Sequence, residues 1–206
     1  MPPALQRVAW TLPVAFGLWG FVFAFPQGNF WVKLSISACI LAVAGLRWSW
    51  DERTSLFCVK RRYLWLGPLS ALVLYGIFSL GREVSTFILS FASGDISRVY
   101  VSKAQLHPVA IGLLLLFVIG PAEEIYWHGF VQRVLGKRFG ATRGLLITTA
   151  IYTLVHVSAL NAILLVAAAV CGLFWGWLYQ REKSLVPVIL SHSIWDLTIF
   201  IIFPLA

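Results

Sequence analysis

Seven long apolar runs, joined by short polar connections, leave this 206-residue chain little choice of fold. They cover residues 8–25, 30–46, 64–80, 108–131, 144–160, 162–179 and 185–203. About 20 such residues cross a bilayer as a helix, and in lipid every backbone N–H and C=O must find its partner inside the protein. The expected fold is therefore all-α, a polytopic transmembrane helical bundle of about seven spans. The stretch 84–91 is too short to cross as a helix and reads as an additional interfacial or re-entrant segment. The first run follows Arg7 as a secretory signal would, but Ala24-Phe25-Pro26-Gln27 lacks an A-x-A arrangement, so a retained span is expected. With no internal repeat, low-complexity tract or linker, residues 1–206 are expected to form a single integral membrane domain.

Charge agrees with a bilayer and argues against nucleic acid. Hydrophobic residues make up 60% and charged ones only 12%, against about 25% charged in soluble domains. A net charge of +8 on so apolar a chain is better read as topology than as a solvated basic surface. With a cytoplasmic N-terminus, the inner segments hold Arg7; Arg47, Arg53, Lys60, Arg61 and Arg62; Arg133, Lys137, Arg138 and Arg143; and Arg181 and Lys183. Lys33, Arg82, Arg98 and Lys103 fall outside, which makes twelve against four. The run Lys60-Arg61-Arg62 is also able to meet anionic headgroups, with topology the simpler reading. Cys39, Cys58 and Cys171 form neither a CxxC pair nor an even framework, which indicates neither a disulfide scaffold nor a zinc knuckle.

The chemistry lies in residues that lipid should exclude. Glu123, Glu124, Asp196, His128, His156 and His192 all sit inside apolar runs. Each ionisable group at the membrane centre costs about 2.5 kcal/mol or more, so a functional cluster is the default reading. Counted from Arg133, Gly144 and Leu185, the residues Glu123, His156 and His192 lie roughly 10 to 18 Å deep. That layer is the inner half of the bilayer under the topology above, and implies a cavity reached from the cytoplasmic side. Glu124 with His128, Tyr152 with His156, and His192 with Asp196 are four apart and share helix faces. Glu123 and Glu124 diverge by about 100°, so one can face a cavity while the other supports it. Gly120, one turn earlier, leaves room for a water or a substrate backbone.

The stretches Glu123-Glu124-Ile-Tyr-Trp-His128, Tyr152-Thr-Leu-Val-His156 and His192-Ser-Ile-Trp-Asp196 resemble the EExxxR, FxxxH and HxxxN or HxxxD motifs of the CPBP family. That family contains the CAAX prenyl endoproteases and the bacteriocin-processing or immunity proteins also called Abi. The resemblance covers residues 108–203, the motif-bearing core. It implies an intramembrane glutamic endopeptidase in which Glu123 activates water and His156 works with it. His192 and Asp196 correspond to the pair that stabilises the oxyanion, and Glu124 and position 128 to a supporting ion pair. Two positions depart from the pattern, His128 replacing arginine and Tyr152 replacing phenylalanine. The first gives up a permanent charge and a bidentate contact. A charge-assisted Glu124–His128 hydrogen bond is expected in its place.

Peptide hydrolysis suits these groups. A carboxylate in a low-dielectric cavity can serve as a base toward water. His192 can donate to an oxyanion, whereas an ionised Asp196 cannot and more plausibly fixes the imidazole tautomer. The expected substrate is a membrane-anchored protein or hydrophobic peptide, prenylated or not, with the lipid bilayer as the other partner and no nucleic acid. The sequence specifies no oligomeric state. No cofactor is expected; Glu123, His156 and His192 form a possible two-histidine, one-carboxylate zinc set, which is not favoured. HExxH is absent, and Phe91-Ala92-Ser93-Gly94 is only a near match to a rhomboid-like GxSG in a short segment. Tryptophans such as Trp19 and Trp175 read as packing or interface anchors, and Gly172 with Gly176 as close helix packing. The alternatives are a peptide-binding or bacteriocin-immunity protein without proteolysis, and a proton-relay transporter, for which paired broken helices are lacking.

Overall fold

A computed structural model describes residues 2–205, and among them there is no strand. The helices run in the order α1 (Pro3–Ala24), α2 (Phe30–Leu56), α3 (Tyr63–Ile88), α4 (Ala92–Tyr100), α5 (Pro108–Phe139), α6 (Ala141–Val155), α7 (Ala162–Glu182) and α8 (Val186–Ile202). Helices α1, α2, α3, α5 and α7 are long and apolar enough to cross a membrane, while α8 is a shorter apolar helix. The chain is a multi-pass helical membrane protein, and each of the seven apolar runs has its helix.

The helix limits follow local chemistry. Asn29 caps α2 by accepting from the Trp31 and Val32 amides, and Asn161 caps α7 by accepting from Leu164. Pro108 opens α5, where its missing N–H costs nothing. At the other end of α5, Gly140 takes φ 92°, a conformation that glycine tolerates, and turns the chain straight into α6. Residues 84–88 are not a separate interfacial segment. No breaker follows Arg82, the Ser85 and Thr86 hydroxyls bond back to its carbonyl, and α3 continues to Ile88. The short extra helix is α4.

Polar bonds define the two ends of the bundle. At the basic end Glu52 pairs with Arg133 and Lys137, and Arg62 pairs with the buried Glu182. At the far end Asn29 donates to the Gln105 carbonyl at 2.7 Å, Trp31 to Ser102 at 2.9 Å, and Tyr100 to Ile199 at 3.1 Å. Between the ends, α8 packs against α3, α5 and α7, and small residues let it come close. A Cβ on Gly67 would lie 2.5 Å from Leu190, and one on Gly120 would lie 2.6 Å from Ser193. Gly120 therefore admits α8 itself, and the space expected there for a water or a substrate is filled.

Candidate active site

The helix that carries the two glutamates is irregular where they stand. Residues Leu115–Ile119 and Ile125–Gln132 adopt the wider π geometry on either side of Gly120–Glu124. Pro121 offers no N–H and its ring would crowd the preceding turn of an ordinary α-helix, which a wider turn relieves. The result presents Glu123 and Glu124, 7% and 2% exposed, to different neighbours.

Glu123 faces a cavity of about 550 Å³, whose wall also includes Tyr152, His156, His192 and Asp196. The Tyr152 hydroxyl donates to Glu123 Oε2 at 3.1 Å, so the tyrosine that replaces the usual phenylalanine holds the candidate base in place. His156 ends α6, where the helix tightens into a 3-10 turn. Its Nδ1–H donates to the Tyr152 carbonyl at 2.7 Å, and its Nε2 accepts from the Trp19 indole N–H at 3.2 Å. A carbonyl can only accept and an indole N–H can only donate, which fixes the ring as the neutral Nδ1–H tautomer.

Glu124 points away from that cavity and into α8. His192 Nδ1 donates to Glu124 Oε1 at 2.7 Å, while its Nε2 stands 3.4 Å from Asp196 Oδ2. The imidazole stacks on Trp175, with ring centroids 3.7 Å apart and planes 19° from parallel. His128 Nε2 is 3.6 Å from Glu124 Oε2, beyond a hydrogen bond, and that oxygen has no partner. His128 instead gives its Nδ1–H to Gln132 Oε1 at 2.6 Å, and Gln132 donates to the Gly176 carbonyl at 2.8 Å. The hydrogen bond expected between Glu124 and His128 is thus made between Glu124 and His192, on another helix. Glu124 is also the group that orients the His192 ring, the task expected of Asp196.

The structure gathers Glu123, Tyr152, His156, His192 and Asp196 around one cavity and sets Glu124 and His128 behind it. Sequence reasoning missed Trp19, Gln132 and the specific contact of Trp175. Nothing local separates Trp19 from nine other tryptophans, whereas Gln132, four residues from His128, carried a helical-spacing signal. Ser93 of the rhomboid-like near match does not line the cavity. Among the described residues no three His, Cys, Asp or Glu are arranged to hold a metal, and both nitrogens of His156 are already engaged. The suggested zinc set does not fit this donor arrangement.

The cavity wall has a direction along the bundle. From Glu123 the lining extends to Arg82, Arg98, Ser102 and Gln105, at the end of the bundle opposite the basic cluster and the N-terminal end of α1. The lining thus extends away from the end of the bundle that holds the N-terminal end of α1. Counting helix depth from the basic end placed the residues in a common layer without revealing which way that layer opens.

Residues 105–198 match the family model described as type II CAAX prenyl endopeptidase Rce1-like. That stretch contains all three motifs and agrees with the CPBP resemblance. No curated protein and no solved structure matches the chain.

Proposed function

From this family match and the geometry of the cavity, we propose that the chain is an intramembrane endopeptidase of the CAAX protease family that hydrolyses a peptide bond of a membrane-associated substrate with a glutamate-activated water. The observation that carries the reading is Glu123, a carboxylate buried in the bundle, held by Tyr152 and sharing one cavity with His156, His192 and Asp196. With Oε2 occupied by Tyr152, Glu123 keeps Oε1 for a water. Glu123 takes a proton from that water as it attacks the scissile carbonyl, and passes the proton to the leaving amine. His156 keeps both nitrogens bonded to the protein, so its part is to shape the water site and hold Tyr152. His192, anchored on Glu124 through Nδ1–H, donates to the developing oxyanion from Nε2 as the doubly protonated ring, a form that Asp196 facing Nε2 favours.

Purified protein in lipid vesicles, given a fluorogenic peptide with an apolar anchor, tests the reading. Glu123→Gln should lower kcat at least about 100-fold while leaving peptide binding and thermal stability near the parent values. Activity should survive strong chelation. Cleavage undiminished by Glu123→Gln contradicts the mechanism; binding without cleavage by the unsubstituted protein favours the peptide-binding alternative.

A further inference from the structure

A second cavity, sharing no wall residue with the first, lies at the basic end of the bundle. It holds about 340 Å³ where the last turns of α2, α5 and α7 meet the first turn of α6, and its wall carries Glu52, Arg133, Lys137, Tyr179, Gln180 and Lys183. Helix carbonyl ends attract cations by themselves, so basic residues alone are no sign of a ligand here. What remains after the protein has made its own bonds is more telling.

Arg133 is committed to the Gly129 carbonyl at 2.8 Å, the Ser49 hydroxyl at 2.7 Å and Glu52. Lys137 gives two of its N–H groups to Glu52 and keeps one. Lys183 enters no ion pair among the described residues. Three cations thus face a single carboxylate on this wall. Two neutral groups are also unused. Tyr179 is 6% exposed with its ring against His128, and its hydroxyl makes no hydrogen bond among the described residues. Gln180 Oε1 is buried without a partner. Unpaired polar groups at such depth are rare and call for one. Lys183 itself has φ 55°, the left-handed region, at the position after α7 where glycine fits with least strain. Its amide on the Tyr179 carbonyl at 2.8 Å and the Leu185 amide on the Leu56 carbonyl at 2.7 Å pin that turn. A lysine in this conformation sets an ammonium at the cavity rim against the backbone's own preference.

We propose that this cavity binds a phosphate ester bearing neighbouring hydroxyl groups, either a phosphoglycerol headgroup of the surrounding membrane or its soluble counterpart. Lys183, the remaining donor of Lys137 and the Tyr179 hydroxyl hold the phosphate oxygens, and Gln180 Oε1 accepts from a headgroup hydroxyl. The first turn of α6, which begins on the wall at Ala141 and has no side-chain cap, adds its amides to the positive field. Because the wall is built from the last turns of membrane-crossing helices, the cavity sits at the level of the headgroups. The site is independent of the protease reading, and its test reads binding alone.

Native mass spectrometry of the whole protein in a neutral detergent measures its affinity for single phospholipids. Phosphatidylglycerol should bind about tenfold more tightly than phosphatidylcholine, and about threefold more tightly than phosphatidylserine, which has the same net charge without the glycerol hydroxyls. Lys183→Gly should remove most of the first preference while the thermal unfolding midpoint stays level or rises, because glycine suits the left-handed backbone. Tyr179→Phe keeps the ring against His128 and should weaken phosphatidylglycerol about threefold, and Gln180→Leu should erase the preference over phosphatidylserine. Glycerol phosphate in solution separates the two sources: displacement of the lipid at equal concentration supports a site for soluble phosphate esters, and retention of the lipid supports a headgroup site. Equal binding of phosphatidylglycerol and phosphatidylcholine overturns the proposal, as does a preference that survives Lys183→Gly. A preference lost as fully with Lys60→Gln, outside the cavity, also overturns it and leaves only a general attraction to the basic surface. Equal binding of phosphatidylglycerol and phosphatidylserine overturns the recognition of hydroxyls.

Discussion

Tyr152 and Glu124 show how single side chains divide the labour of the site. Tyr152→Phe supplies the residue of the FxxxH motif that this stretch resembles but deletes the hydroxyl that holds Glu123, and should lower kcat by about tenfold with little change in stability, measured by peptide cleavage and thermal unfolding. Glu124→Ala is a different kind of loss. It leaves the Nδ1–H of His192 without a partner inside the bundle, and unfolding should become easier by about 3 kcal/mol or more in a denaturant titration. His128→Arg should retain activity, because Glu124 Oε2 lacks a donor that the longer guanidinium supplies. Six of the seven candidate residues stand out in the sequence because each breaks the rule that lipid excludes ionisable groups, and Tyr152 joins them through its spacing of four from His156. The bond between Glu124 and His192 was not, since it joins positions 68 apart and depends on how α5 and α8 meet. The Trp19 contact to His156 was hidden in the same way, by a separation of 137.

At the level of helices, close approach governs. Gly144 sits where a Cβ would come 2.5 Å from the backbone of Gly136, so the corner between α5 and α6 has no room for a side chain. Gly144→Ala should destabilise the protein by about 2 kcal/mol and reduce activity through misplacement of His156, read by thermal unfolding and kcat together. Gly172 and Gly176 bring α7 against α6 and α5, as their spacing predicts; a Cβ on Gly176 would press on Leu145, Gln132 and His128. The limits of α3 and α4 were harder to read, because residues 84–88 have the apolar character of an interfacial segment, whereas the backbone stays helical to Ile88 and the Leu89 amide donates to the Ser85 carbonyl at 2.8 Å. At the α4–α7 corner, Arg98 and the Ile163 and Ala162 amides hold the Asp95 carboxyl below the usual carboxylate range. A depressed carboxylate stabilises the fold above its unfolded value, about 3.9, and the contribution is lost as pH falls through the folded value. Unfolding midpoints should therefore decline in acid more steeply for the parent protein than for Asp95→Asn, which starts lower and loses less.

For the whole molecule, the distribution of charge and the direction of the cavity are separate facts. The cationic clusters lie at the end with Arg62, Arg133 and Lys137, and the cavity lining extends toward the other. A cysteine at Ser102, on the cavity wall, and a tag at the N-terminus should be reached by membrane-impermeant reagents from opposite sides of the membrane; labelling of both from one side contradicts this arrangement. Apolar periodicity and lysine–arginine bias made the bundle readable, but neither reports where helices part, and that parting is what creates the cavity. The central claim is that Glu123 drives hydrolysis within the bundle. It is tested most directly by mass spectrometry of membrane-protein termini in cells carrying the parent protein or Glu123→Gln at equal abundance. The account predicts new termini near membrane anchors with the parent protein and their disappearance with Glu123→Gln; the same termini in both, or none in either, would contradict it.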